Sequence, residues 1–223
     1  MKKLALLALA GITIASCKTE PKKDYMIFSG KIDNIERKEI QIRGYGFSEK
    51  IAVNEDGTFA DTLKVANGYY SFYDGKKVIN LYLNKSKDLK VVYDLKDSTE
   101  TITFDGENAP VNGYLVQKGK ETKKMLGASK DLYSLDEKAF LEKLNTVKSF
   151  SKDLVEKSNM SKELKNIELK NIDYNHIMSV NRFEVYHGFY AKKKDFKVSE
   201  SFPKLGENLD LNNEQDYKNS AAY

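Results

Sequence analysis

Side chains able to do nucleophilic or metal chemistry at neutral pH are scarce in this sequence: one cysteine, Cys17, and two histidines, His176 and His187. Thioredoxin-type disulfide exchange needs an attacking thiolate and a second, resolving thiol, so a single cysteine excludes it within the chain. It also excludes an internal disulfide scaffold and a cysteine-cluster zinc site. The histidines stand eleven positions apart; on one helix that is roughly 16 Å, too far to share a metal ion. Glu184, three residues before His187, has the spacing of a modest pairing on one helix face. The run Tyr69-Tyr70-Ser71-Phe72-Tyr73 reads as sheet packing, or as a face for stacking on glycan rings. Lys192-Lys193-Lys194 reads as a solvated basic turn, with contact to anionic lipid as the sharper alternative. The many carboxylates have no His or Cys beside them, so no catalytic residue, metal ligand or cofactor is expected.

The cysteine occupies a position with a meaning of its own. Residues 1–17 run from a basic start, Lys2 and Lys3, through an apolar stretch over 4–15 to Ile14-Ala15-Ser16-Cys17, the three parts of a secretory signal peptide. About 12 apolar residues fall short of the roughly 20 that a spanning helix needs. Ile14-Ala15-Ser16-Cys17 resembles the bacterial lipobox. That resemblance implies diacylglycerol on the Cys17 sulfur, cleavage before Cys17 and acylation of the new amino terminus, and two or three chains anchor stably where one is marginal. An ordinary signal peptide with an incidental cysteine is the alternative. Cys17 is thus the expected lipid attachment site, and the membrane the expected partner. Residues 18–24 are polar, include Pro21 and read as a tether. Lys18 and Glu20 faintly resemble the charged surface-export signals of some Bacteroidetes lipoproteins; inner or outer membrane, periplasmic or surface face, stay open.

The chain has 223 residues, 40% hydrophobic and 11% aromatic, enough to build a core in one ordinary domain or two small ones and to exclude wholesale disorder. Loss of Lys2 and Lys3 takes the formal charge from +4 to +2. A near-neutral, exported chain does not call for nucleic acid as a partner.

Two periods divide the mature sequence. Over 25–107 eight short runs with strand character recur about every ten residues, separated by turns such as Asp56-Gly57 and Asp74-Gly75, which read as hairpin signals. They predict an antiparallel β-sandwich or partly open barrel. Over 108–223 the period is helical. A first helix is expected over 110–126. A second is expected to start at a Ser134-x-x-Glu137 capping box and to carry Phe140, Leu144, Val147, Leu154 and Val155 as its apolar stripe. A third is expected from the Ser161 cap to His187-Gly188. A last helix, beginning within 209–223, has no Gly or Pro terminator, so the chain is expected to be truncated there. The fold class is therefore α+β, with the β domain first.

Phe28-Ser29-Gly30-Lys31-Ile32, Val53-Asn54-Glu55-Asp56-Gly57-Thr58-Phe59, Gly68-Tyr69-Tyr70, Leu81-Tyr82-Leu83 and Ile102-Thr103-Phe104-Asp105-Gly106-Glu107-Asn108, with Asn112 and Tyr114-Leu115, together resemble the N-terminal β domain of Bacteroidetes TlpA-like thiol-disulfide oxidoreductase lipoproteins. In that family an acylated β domain and a helical segment precede a thioredoxin fold with a Trp-Cys-x-x-Cys site. This chain has no Trp and no second Cys, so the resemblance implies an anchoring and docking part without redox residues. A stand-alone lipoprotein that binds a glycan or envelope protein, or a scaffold, is the alternative reading.

Overall fold

The computed structural model describes residues 23–220 apart from 208 and 211; the leader, Cys17 and residues 221–223 lie outside the described residues. The fold is α+β. Strands β1 (Met26–Asp33), β2 (Glu39–Gly44), β3 (Phe47–Ala52), β4 (Thr58–Leu63), β5 (Gly68–Tyr73), β6 (Val78–Leu83), β7 (Leu89–Asp94) and β8 (Thr103–Asp105) come first, with the short helix α1 (Ser98–Thr101) before β8. Helices α2 (Ala109–Leu126), α3 (Ser129–Tyr133), α4 (Glu137–Lys157), α5 (Lys162–Asn181), α6 (Phe183–Tyr190) and α7 (Glu214–Asn219) follow.

The strands form two four-stranded sheets, ordered β4-β1-β7-β8 and β3-β2-β5-β6. Alternation explains their packing. In β1, Met26, Phe28, Gly30 and Ile32 all turn inward, meeting Ile40, Ile42, Phe72 and Leu81 of the facing sheet in one apolar core.

Two expectations are corrected. The first sheet is mixed, because β1 and β7 pair in parallel, Gly30 opposite Val91. The chain passes through the whole second sheet between them, and that long crossover frees the pair from hairpin direction. A Cβ on Gly30 would stand 2.0 Å from the Val91 carbonyl oxygen, so only glycine admits this approach. The Asp56-Gly57 turn, moreover, is not a hairpin. β3 pairs with β2 and β4 with β1, so this turn is a corner between sheets, with Gly57 at φ +80°. Asp74-Gly75 does close a hairpin, between β5 and β6. Its buried Asp74 carboxylate accepts from the Lys76 and Lys77 amides and from the Tyr93 hydroxyl.

The helical boundaries shift for local reasons. Asp136, not Ser134, caps α4, its carboxylate accepting from the Ala139 amide at 2.8 Å. Glu137 is thereby released to hold Ser199 through both carboxylate oxygens. The long third helix breaks at Arg182, which ends α5 and starts α6. Gly188 lies inside α6, where its carbonyl accepts from the Lys193 amide as the chain folds back. Ser161 caps α5 as expected, accepting from the Leu164 amide. Helix α7 latches α5 to the β2–β3 turn: Asp216 takes Lys170 and the Tyr174 hydroxyl, while Tyr217 sets an edge on Tyr45.

One side of the sandwich is left open between the edge strands β6 and β8, and α2 lies along that seam against both. Its fully buried Asn112 does what a neighbouring strand would do. The side-chain oxygen accepts from the Tyr82 amide at 2.8 Å and the side-chain NH2 donates to the Tyr82 carbonyl at 3.0 Å. Asn108 adds a bond to the Lys87 carbonyl. A buried backbone group left unpaired costs about 1–3 kcal/mol, and Asn112→Ala strands both groups of Tyr82. Urea unfolding should therefore show a loss of that size per group for Asn112→Ala, well above the loss for the exposed-site control Asn145→Ala.

Candidate functional site

Helix α2 carries the next contacts of the joint. Val111 and Tyr114 pack with Tyr82, Val155, Met160 and Ile172 into a second apolar cluster, where the outer side of β5 and β6 meets α4 and α5. In its midst stands Glu168, 1% exposed, on the same line of α5 as the apolar Leu164 and Ile172.

The Glu168 carboxylate collects partners from three elements. Tyr69 of β5 donates its hydroxyl at 2.5 Å, Lys118 of α2 donates its ammonium, and Asn171 of α5 donates at 3.2 Å. Tyr114 points its hydroxyl toward the same carboxylate without closing a full hydrogen bond. Burial pushes the acidity of Glu168 one way, but the Lys118 charge and the hydrogen bonds outweigh it and hold the carboxyl below its ordinary value of 4.5. Burial, and then the Glu168 charge, push Tyr69 and Tyr114 well above the usual tyrosine range. A carboxylate so engaged and so weakly basic is a lock, not a general base.

On the other side of Lys118 a groove opens between α2, α4 and α5, about 270 Å³ in volume. Leu126, Leu144 and Val147 form apolar wall, and Lys118, Lys148 and His176 bring polar groups to it. Glu168 balances Lys118. Asp173 serves two cations at once, with Lys148 at 2.9 Å and Lys152 at 3.0 Å, so the cluster keeps one positive charge in excess. His176 is held below the ordinary histidine value, first by burial and next by the Lys148 charge, with Asp173 pulling the other way. Burial and the Lys148 charge both favour the uncharged imidazole.

Comparison with family models, curated proteins and solved structures finds no match.

The residues singled out from the sequence are dispersed. Cys17 lies outside the described residues. His176 lines the groove, whereas His187 is buried beyond the Arg182 break between Phe183 and Phe196. There its Nδ1 bonds the Tyr133 carbonyl and its Nε2 faces the Lys193 ammonium. Glu184 does not pair with His187; it accepts from Lys197 and from the Val198 amide. Among the described residues no three His, Cys, Asp or Glu side chains converge on a possible metal position. Of the Tyr69–Tyr73 run, Tyr70 and Phe72 face the core, Tyr69 is committed to Glu168, and Tyr73 is left at the surface. That removes the run as a continuous sugar-stacking face. Lys192, Lys193 and Lys194 form an exposed turn. Sequence reasoning missed Glu168 and Lys118, and it met Asn112 only within the family resemblance, without its bonds to Tyr82. The available signal was a charged or amide side chain on an otherwise apolar helix line.

Removing one partner of a buried ion pair leaves an uncompensated charge, at about 3–5 kcal/mol. Lys118→Met should lose that much in urea unfolding at pH 7. Because the folded Glu168 value is lowered, its stabilisation is present above the ordinary value and fades as pH falls through the folded one. Glu168→Gln should accordingly lose stability less steeply than wild type between pH 6 and pH 3. Lys148→Met should raise the His176 titration midpoint, read from its imidazole NMR signals; an unchanged midpoint would refute the assigned cause.

Proposed function

We propose that this chain is an acylated cell-envelope lipoprotein, held by lipid on Cys17, whose β domain and helical region are the anchoring and docking part of a thiol-disulfide oxidoreductase system. The observation that carries the reading is the placement of the sole cysteine of 223 residues at the end of a basic-then-apolar leader. A polar tether follows it. No helix among the described residues is long and apolar enough to cross a membrane, and the proposed lipid supplies the anchor. The redox chemistry belongs to a Cys-x-x-Cys partner, carried by a further domain or by another envelope protein. A second reading, a stand-alone ligand-binding lipoprotein, is favoured by the groove between α2, α4 and α5.

Labelled palmitate fed to a bacterial host expressing the full chain should enter wild type and not Cys17→Ala. Equal labelling of both would overturn the lipoprotein reading. In the same cells, crosslinking to a Cys-x-x-Cys protein supports the docking role, and its absence favours the stand-alone reading.

A further inference from the structure

We propose that the groove between α2, α4 and α5 binds a small amphipathic monoanion, a carboxylate carried on a short hydrocarbon chain. Three observations converge on that class and do not depend on the acylation of Cys17.

The first is shape. A hollow of about 270 Å³ lies just under the roughly 300–1,000 Å³ of most ligand pockets, so its occupant is small. The apolar wall of Leu126, Leu144 and Val147 gives hydrocarbon a place that water fills poorly.

The second is charge. Lys148 and Lys152 share the single carboxylate of Asp173, while Lys118 is matched by Glu168. One negative charge completes the cluster. A dianion such as phosphate would overshoot it and leave the apolar wall unused, a cation would be repelled, and a neutral chain would leave the excess charge as it stands.

The third is hydrogen bonding. A neutral imidazole carries one donor and one acceptor, and His176 lines the groove with neither ring nitrogen committed to a hydrogen bond within the described residues. His176 and Lys148 line the same groove; in the proposed complex the imidazole N–H bonds one carboxylate oxygen and the Lys148 ammonium the other, a charge-assisted pair that an alcohol cannot reproduce.

The test is an NMR titration of the purified full chain with hexanoate, followed on the imidazole signals of its two histidines, which His176→Gln assigns. In wild type, hexanoate should shift the His176 signals saturably and leave those of buried His187 in place, the latter showing that the fold is intact. Hexan-1-ol and hexylammonium should produce no saturable shift. Lys148→Gln should weaken hexanoate binding at least tenfold. Val147→Trp, which fills the hollow and keeps every charge, should abolish it. The proposal is overturned by no saturable hexanoate shift in wild type, by an equal response to hexan-1-ol or hexylammonium, or by wild-type affinity in both variants.

Discussion

A sheet edge must be satisfied before anything can be built beside it, and in this protein that requirement is met by one amide side chain. The Tyr82 amide and carbonyl face the open seam of the sandwich, and Asn112 pairs with both as a further strand would. A strand would extend the sheet; an asparagine on a helix ends it. The pairing also fixes α2 in rotation and translation against the β domain, so Tyr114 and Lys118, further along the same helix, arrive at Glu168. The groove is bounded in turn by Thr122 and Leu126 of α2. Edge strand, lock and groove thus lie in order along a single helix.

The Glu168 lock shows how the two halves recognise each other. Tyr69 lies 99 residues from Glu168 and Lys118 lies 50 away, so the carboxylate is satisfied only when sheet and helices are both in place. Hydrophobic contact alone would hold α2 and α5 against β5 and β6, but over many nearly equivalent positions. A buried charge with directional partners removes those alternatives, because a displaced Glu168 would keep its desolvation cost and lose the Lys118 and Tyr69 bonds.

Much of the plan was legible in the sequence. The change of period near residue 108 separates strands from helices because side-chain direction repeats every two residues in one and every 3.6 in the other. Ser161 could be read as a cap because its hydroxyl acts on a neighbour three residues on. What escaped was non-local. Nothing within Asp56-Gly57 distinguishes a hairpin from a corner; the difference lies in where β1 and β2 stand. The parallel β1–β7 pairing likewise depends on a crossover that no local pattern announces. The capping box failed because Asp136 offered a competing acceptor at the same helix start, and the break at Arg182 because the apolar stripe of α5 and α6 continues across it. In the candidate site, His176 could be named from the sequence, but its surroundings come from α4, and the shared Asp173 becomes visible only when α4 and α5 are packed.

The parallel pair has a consequence for how the chain assembles. Emerging from its amino terminus, β1 can meet β4 soon, about thirty residues on, but its other neighbour, β7, follows only after the whole second sheet has passed. No turn nucleates that second pairing, and long-range pairing of this kind is slow relative to helix or hairpin formation. Until β7 arrives, the tight approach at Gly30 is empty and β1 presents a bare edge. The strand next to the proposed lipid therefore takes its second neighbour from chain about sixty residues further on, Phe28 standing opposite Leu89, so its shelter depends on a segment remote from it in sequence.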